Sequence, residues 1–236
     1  MTSLTGGWIL VPGWGAGRDA FAAILTHLPG TAARVVGWDE LLDRGDAALA
    51  DACAALGPGP VRIAGWSLGA LLALDAVLAA PGRFAGLALV SGTARFCADG
   101  EGHPGAEPRA LRAMSARLAR DPDGVQRAFA EACAAPSGGE EAAGWWEAQA
   151  ARFGGPALAR GLEALATLDL RAGAGALRIP VRLVHGEADA VVPLAAARAL
   201  AASLPQARLH ALPGHGHALP FIAPAAVAAA LAELAA

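Results

Sequence analysis

The sequence has no lysine, no tyrosine and no asparagine, and it contains only three cysteines. All 18 basic residues are arginine, against 21 acidic residues, so the 236-residue chain has a net charge of −3. This balance argues against a dedicated nucleic-acid-binding protein. Because alanine, glycine and arginine are abundant, we interpret the missing residue types as the coding bias of a GC-rich genome. A single arginine is therefore weak support for an anion-binding site.

The three cysteines, Cys53, Cys97 and Cys133, are widely spaced and form no CxxC pattern. This spacing excludes a sequence-level zinc motif and favours reduced thiols in a cytosolic protein. The first residues contain no basic segment followed by a long apolar segment, so we expect no signal peptide. No uninterrupted apolar run reaches the length of a membrane span. We therefore expect a cytoplasmic protein.

Short apolar segments alternate with Ala/Leu-rich segments along most of the chain. The apolar segments GWILVP, ARVVGWD, VRIA, FAGLALVSG, IPVRLVHG and QARLHALPG predict strands, and the segments between them predict helices, including one helix over residues 41–60. This alternation is typical of a parallel sheet with helices on both faces. Residues 95–168 have no clear strand pattern, which predicts a helical insertion between two strands.

One serine lies between two glycines where an apolar strand segment meets an apolar helix segment. In the stretch VRIAGWSLGALLALDA, Gly65 and Gly69 lie two residues before and two residues after Ser67. A strand that runs directly into a helix needs a tight turn, which strains the central residue and requires small neighbours. The serine side chain would then lie at a helix N-terminus, where backbone N–H groups can stabilise an oxyanion. We therefore predict that Ser67 is a nucleophile rather than a helix N-cap.

A serine nucleophile needs a general base and an acid that orients the base. With this kind of turn the chain order is serine, acid, histidine. Asp189, which follows the strand segment VRLVHG, is the predicted acid, and Glu187 in the same loop is the alternative. His217 is the predicted base, and His215 in the same glycine-containing loop is the alternative. The remaining histidines are assigned no chemical role: His27, His103, His185 and His210.

Two backbone N–H groups are predicted to form an oxyanion hole. One belongs to Leu68, the residue after the predicted nucleophile, and the other belongs to Trp14 in the loop VPGWGAG. The glycines of this loop allow the backbone to approach a ligand closely. This set of groups predicts nucleophilic catalysis by a serine, which needs no metal ion or other cofactor.

These segments resemble the α/β-hydrolase superfamily and, more narrowly, the pimeloyl-ACP methyl ester esterases of biotin synthesis. The G-W-S-L-G turn of that family stands here as GWSLG, its GWG loop as VPGWGAG, its GLE…DLR segment as GLEALATLDLR, and its HAPFI-like segment as HALPFIAP. The similarity covers most of the chain and is weak over the helical insertion. Pro12 stands where the family usually has a histidine before the glycine of the oxyanion loop.

The resemblance implies the α/β-hydrolase fold, an α/β class fold with a mostly parallel sheet covered by helices on both faces. Residues 1–94 and 169–236 would form the core domain, and residues 95–168 would form a helical cap. It implies the same serine, aspartate and histidine as the catalytic triad, and a substrate channel between the sheet and the cap. The implied reaction is hydrolysis of the methyl ester of pimeloyl-ACP.

The resemblance also implies that the partner is an acyl carrier protein, whose acidic helix would suit a basic cap face. Trp66, Phe129 and the pair Trp145–Trp146 are candidates for the substrate channel, although large apolar residues of a cap also fill its core. We expect a monomer that binds neither nucleic acid nor membranes. The candidate arginines for carrier binding are Arg109, Arg112, Arg117, Arg120, Arg127 and Arg152.

Other functions stay open on these residues alone. A carboxylesterase or thioesterase for other small acyl groups would use the same triad. A lyase would use the triad without forming an acyl-enzyme, and a binding protein would have no need of it. Labelling of Ser67 by an organophosphate distinguishes an enzyme from a binding protein.

Overall fold

The computed structural model describes residues 6–136, 144 and 152–235. The described strands are β1 Gly7–Val11, β2 Ala32–Val35, β3 Val61–Trp66, β4 Phe84–Val90, β5 Val181–Gly186 and β6 Ala207–Leu212. They form one six-stranded sheet in the order β2–β1–β3–β4–β5–β6. All neighbouring strands pair in parallel, which confirms the predicted parallel sheet.

Helices cover the sheet. The described helices are α1 Ala22–Thr26, α2 Trp38–Arg44, α3 Asp46–Leu56, α4 Leu68–Ala79, α5 Pro108–Leu118, α6 Pro122–Ala134, α7 Gly155–Thr167, α8 Arg171–Ala174, α9 Leu194–Ser203, α10 Leu219–Ile222 and α11 Pro224–Ala235. Every residue of β1, β3 and β5 is buried, so both faces of these strands are covered. Within the described ranges, no helix has both the length and the hydropathy needed to cross a membrane.

The helix predicted over residues 41–60 is wrong in one respect, because the structure has two helices there. α2 ends at Arg44 and α3 begins at Asp46. Gly45 between them has φ 54° and ψ −127°, a backbone conformation that glycine adopts at little cost. The chain therefore changes direction at this residue.

Between β4 and β5 the chain leaves the sheet and forms α5 to α8. Its first and last parts meet again in an isolated antiparallel bridge between Arg95 and Asp169. The described part of this segment is helical, as the sequence indicated. The division at residues 95–168 into a separate cap stays a prediction. Trp145 and Trp146 lie outside the described residues.

Candidate active site

Ser67 lies at the turn between β3 and α4, with φ 56° and ψ −120°. This is a region of backbone conformation that L-residues rarely occupy. Gly65 and Gly69 make the turn possible. A Cβ on Gly65 would lie 2.5 Å from Ala70 N, and a Cβ on Gly69 would lie 2.7 Å from the carbonyl carbon of Val11. The absence of both Cβ atoms lets α4 begin directly against the ends of β1 and β3.

Three side chains that follow three different strands form a hydrogen-bonded chain. Ser67 Oγ lies 2.9 Å from His217 Nε2, and His217 Nδ1 lies 2.8 Å from Asp189 Oδ2. Because a carboxylate only accepts hydrogen bonds, Nδ1 of the neutral imidazole carries the proton and Nε2 accepts from the serine hydroxyl. All three residues are buried. In this arrangement the histidine is placed to take the serine proton as its oxygen attacks a carbonyl carbon.

The Asp189 carboxylate is also held by the backbone of its own loop. Its Oδ1 accepts hydrogen bonds from the N–H groups of Val191 and Val192, at 2.9 and 2.8 Å. Burial acts to raise the pKa of Asp189, but the charge and the hydrogen bond of His217 outweigh it and the pKa is lowered. The ionised carboxylate can therefore orient the imidazole and stabilise its protonated form.

The backbone of His217 is fixed by two side chains at the ends of β3 and β4. Trp66 Nε1–H and Ser91 Oγ–H both donate to the His217 carbonyl oxygen, at 3.0 and 3.1 Å. The Trp66 ring centroid lies 5.9 Å from that of the imidazole, so the indole lies beside this ring. Contact of Trp66 with a substrate stays a prediction.

Sequence reasoning missed Ser91. It is fully buried, and its φ of 47° makes it a second serine with a left-handed backbone. The only signal in the sequence is its place in FAGLALVSG, directly after β4 and therefore beside the strand that carries the Ser67 turn.

The predicted oxyanion hole has two N–H groups beside the serine. Neither Leu68 N–H nor Trp14 N–H donates a hydrogen bond within the described part of the chain. The loop before Trp14 touches the nucleophile turn, since a Cβ on Gly13 would lie 3.2 Å from Ser67 Cβ. The Trp14 side chain is fixed from the other side by its Nε1–H, which donates to Leu158 O of α7 at 2.8 Å.

The alternative acid and base lie away from the serine. Glu187 is exposed on the loop after β5, and the His215 ring bonds to Pro213 O at 2.8 Å. Across the described ranges, neither side chain hydrogen-bonds to Ser67 or His217. No group of three or more His, Cys, Asp or Glu side chains suited to a metal ion occurs in those ranges either.

Phe129 of α6 faces the site. Its ring centroid lies 5.1 Å from that of Trp14, edge to face, and 6.5 Å from that of His217. The same ring lines an apolar cavity of about 350 Å³ between α5 and α6, together with Met114 and Ala132. An acyl chain that approached Ser67 from this side would meet apolar walls.

Within the described ranges, three of the six candidate arginines are engaged in ion pairs on the protein surface, and the longest joins Arg109 Nε to Glu107 Oε2 at 3.9 Å. Arg117 pairs with Asp121 at 2.6 Å, and Arg152 pairs with Asp19 at 3.2 Å. Arg127 is exposed on α6. The other two, Arg112 and Arg120, are exposed on α5 and just after its end.

Comparison with known proteins identifies the family to which the chain belongs. Residues 7–230 match the family described as "Alpha/beta hydrolase family". The pimeloyl-[acyl-carrier protein] methyl ester esterase of Aromatoleum aromaticum is 34% identical over 229 residues, which cover 91% of each chain. The esterase of the same name from Chromobacterium violaceum is 34% identical over 234 residues, which cover 91% of this chain and 87% of the other.

Solved structures share the fold at lower identity. The esterase EaEST from Exiguobacterium antarcticum has a TM-score of 0.84 and 18% identity, over 98% of this chain and 92% of that one. The hydrolase olei00960 from Oleispira antarctica has a TM-score of 0.83 and 16% identity, over 98% and 90%. At these identities the likeness establishes the fold and not the substrate.

Proposed function

From the premise that the chain belongs to the alpha/beta hydrolase family and, within it, to the pimeloyl-[acyl-carrier protein] methyl ester esterases, we propose its reaction. The proposed reaction is hydrolysis of the methyl ester of a pimeloyl group bound to acyl carrier protein, a step of biotin synthesis. It is a carboxylic ester hydrolase. The observation that carries the proposed chemistry is the hydrogen-bonded chain from Ser67 through His217 to Asp189. The proposed substrate comes from the names of the relatives.

In the proposed reaction, Ser67 Oγ attacks the ester carbonyl carbon while His217 Nε2 takes the hydroxyl proton. Asp189 holds the imidazolium, and the N–H groups of Leu68 and Trp14 bind the oxyanion of the tetrahedral intermediate. His217 then gives its proton to the methoxy oxygen, and methanol leaves. Water loses a proton to the same nitrogen, attacks the acyl-enzyme and releases the carboxylic acid and the free serine.

The proposed acyl path runs past Phe129. This ring lies between Trp14, whose N–H is a proposed oxyanion donor, and the apolar cavity that Met114 and Ala132 also line. Transfer of methylene groups from water to such apolar walls lowers the free energy. We therefore place the pimeloyl chain along this cavity and its methyl ester at Ser67.

The proposed carrier-binding surface is the outer side of α5. Arg109 and Arg112 are exposed on α5, whose buried residues are Leu111 and Leu118, and Arg120 follows the last turn. Arg112 and Arg120 have no acidic partner in the described part of the chain. Unpaired guanidinium groups are free to meet the acidic helix of a carrier protein and to accelerate association.

The test of the proposed function is steady-state hydrolysis of methyl pimeloyl-ACP and of a free p-nitrophenyl ester by the wild type and by Ser67→Ala. We expect the wild type to prefer the carrier-bound ester and Ser67→Ala to be inactive on both. Activity of the wild type on the free ester alone would retain the triad and refute the substrate. Unchanged activity of Ser67→Ala would refute the mechanism.

The carrier surface is tested by Arg112→Glu combined with Arg120→Glu. We expect a rise in KM of about tenfold or more for methyl pimeloyl-ACP, less at high salt, and no change for the free ester, because only the carrier carries the complementary charge. The charge-matched control is Arg178→Glu combined with Arg198→Glu, at two exposed arginines remote from this segment in the chain. An equal effect of the control would show that net charge, and not this surface, determines KM.

A further inference from the structure

A second buried histidine lies behind the acid of the proposed triad. His185 belongs to β5 and is fully buried, four residues before Asp189. Its Nε2 lies 2.8 Å from Val192 O and 3.3 Å from Asp189 Oδ2. A carbonyl oxygen only accepts hydrogen bonds, so Nε2 carries the proton and donates it to Val192 O. The proposed reaction makes no use of this side chain.

The surroundings of His185 favour its neutral form. Its other ring nitrogen, Nδ1, is buried and has no hydrogen-bond partner in the part of the chain that the structure describes. A proton on Nδ1 would leave a buried N–H without an acceptor, which is costly. Burial accordingly lowers the pKa of His185. The side chain therefore presents Asp189 with an N–H dipole and no net charge.

The side chains of His185 and Asp189 both hydrogen-bond to the backbone of Val192. The Val192 N–H donates to Asp189 Oδ1 at 2.8 Å, and the Val192 carbonyl accepts from His185. This residue therefore connects the carboxylate to β5, which is a buried strand with little freedom to move. Release of the carbonyl would loosen the loop that places the carboxylate against His217.

We propose that His185 is a positioning residue, which fixes the Asp189 loop through Val192 O and thereby holds Asp189 Oδ2 against His217 Nδ1. This inference rests on the proposed triad. The positive end of the dipole lies next to the same carboxylate oxygen that accepts from His217 Nδ1. Loss of the His185 donor would release the Asp189 loop, so the carboxylate would stabilise the imidazolium less well.

The titratable groups that act on Asp189 within the described residues are His217, His185 and Cys133. Cys133 of α6 is fully buried, and burial together with the Asp189 charge raises its pKa, so it stays a neutral thiol. A change at His185 is thus transmitted to His217 without another ionising group between them.

The experiment compares three substitutions of His185 that differ in whether, and how far from the backbone, they place a hydrogen-bond donor. The amide nitrogen of His185→Gln reaches the position of Nε2 and keeps a donor for Val192 O, whereas His185→Asn stops at the position of Nδ1 and His185→Leu has no donor. His210→Gln, on the neighbouring strand β6, is the matched control. The measurements are kcat, KM and the pH profile of kcat/KM for a p-nitrophenyl ester, with circular dichroism melts to verify folding.

We expect His185→Asn and His185→Leu to lower kcat about fivefold, to change KM less than about twofold, and to move the acid limb of kcat/KM to lower pH, because a loosened Asp189 stabilises the imidazolium less. His185→Gln is expected to stay close to the wild type, and so is the control. A difference in kcat between His185→Gln and His185→Asn would indicate that a hydrogen-bond donor at the position of Nε2 is needed. If His185 acted only through packing, both amide variants would be impaired.

An NMR titration of His217 in the Ser67→Ala background gives the same answer without any substrate. It keeps the inference testable if Ser67→Ala retains activity and the proposed function fails. An unchanged His217 titration in folded His185→Asn and His185→Leu would overturn the proposal, as would a His185→Gln variant that behaves like His185→Asn. If His185→Leu does not fold, the comparison of His185→Gln with His185→Asn still tests the proposal.

Discussion

Alanine at Gly69 tests whether the close packing at the nucleophile turn is needed for activity. A Cβ at this position would collide with the backbone oxygens of Val11 and Pro12 and lie 2.7 Å from the Val11 carbonyl carbon. These are backbone atoms, so no side chain can rotate to make room. The start of α4 would have to move away from the end of β1 by roughly 1 Å to restore ordinary van der Waals distances.

The expected cost follows from that displacement. Overpacking of a well-packed core costs about 1–3 kcal/mol, and rigid backbone neighbours place Gly69→Ala near 3 kcal/mol. For a chain of this size that loss lowers Tm by about 6–12 °C. Ser67 lies two residues away and moves with the helix, and a misplacement of about 1 Å lowers the rate by about 100-fold.

The assay combines a thermal melt with the rate at which a fluorophosphonate labels Ser67. Gly82→Ala is the matched control, because Gly82 is exposed and a Cβ there would meet no atom within 4 Å. The control should melt at or slightly above the wild-type temperature, through the reduced entropy of its unfolded chain. A Gly69→Ala variant that melts within about 2 °C of the wild type and is labelled at the same rate would refute the reasoning.

Three further predictions concern the surroundings of the site. Trp66→Phe keeps a smaller aromatic side chain but removes the N–H that binds the His217 carbonyl, so kcat should fall about fivefold at constant KM, and a change in KM alone would contradict this. The hydrogen bond and charge of Arg171 lower the pKa of Asp169 to about 2. Its stabilising contribution is therefore complete above about pH 4 and lost as the pH falls towards 2, and Asp169→Asn should flatten Tm against pH in that window. Gly161→Ala would place a Cβ 3.0 Å from the indole nitrogen of Trp14, in the proposed oxyanion loop, so labelling of the serine should slow about tenfold, with unaltered labelling as the contrary result.

Features with a local cause could be predicted from the sequence. The central strands contain short apolar runs bounded by Gly, Pro or a polar residue, and the strained turn follows from glycines two residues to either side of Ser67. The break at Gly45 was missed because a glycine within a helical pattern can either be tolerated or end the helix. That outcome depends on how α2 and α3 pack, which no local pattern contains.

The site depends on contacts between residues far apart in the chain. His215 and His217 share one loop, and the path of that loop determines which of them faces the serine. Gly216 between them packs against the Ala135 backbone, where a Cβ would lie 2.9 Å from the carbonyl carbon. A histidine in a strand, such as His185, has many possible surroundings. Its approach to the Asp189 loop becomes visible only when the strand and the loop are placed in space.

The loop that carries the base is held by the helical segment as well as by the sheet. Ala218 N–H donates to Cys133 O at the end of α6 at 3.1 Å, and the Phe129 ring of the same helix faces His217. Because α6 also lines the proposed acyl cavity, binding of the acyl chain and orientation of the base share one element. Substitutions at the end of α6 should therefore change kcat and KM together. Substitutions of the exposed arginines of α5 should change KM for the carrier-bound ester alone, since these side chains are not among the buried residues of the helix. The two kinetic patterns distinguish the part of the segment that supports the chemistry from the part that recognises the carrier.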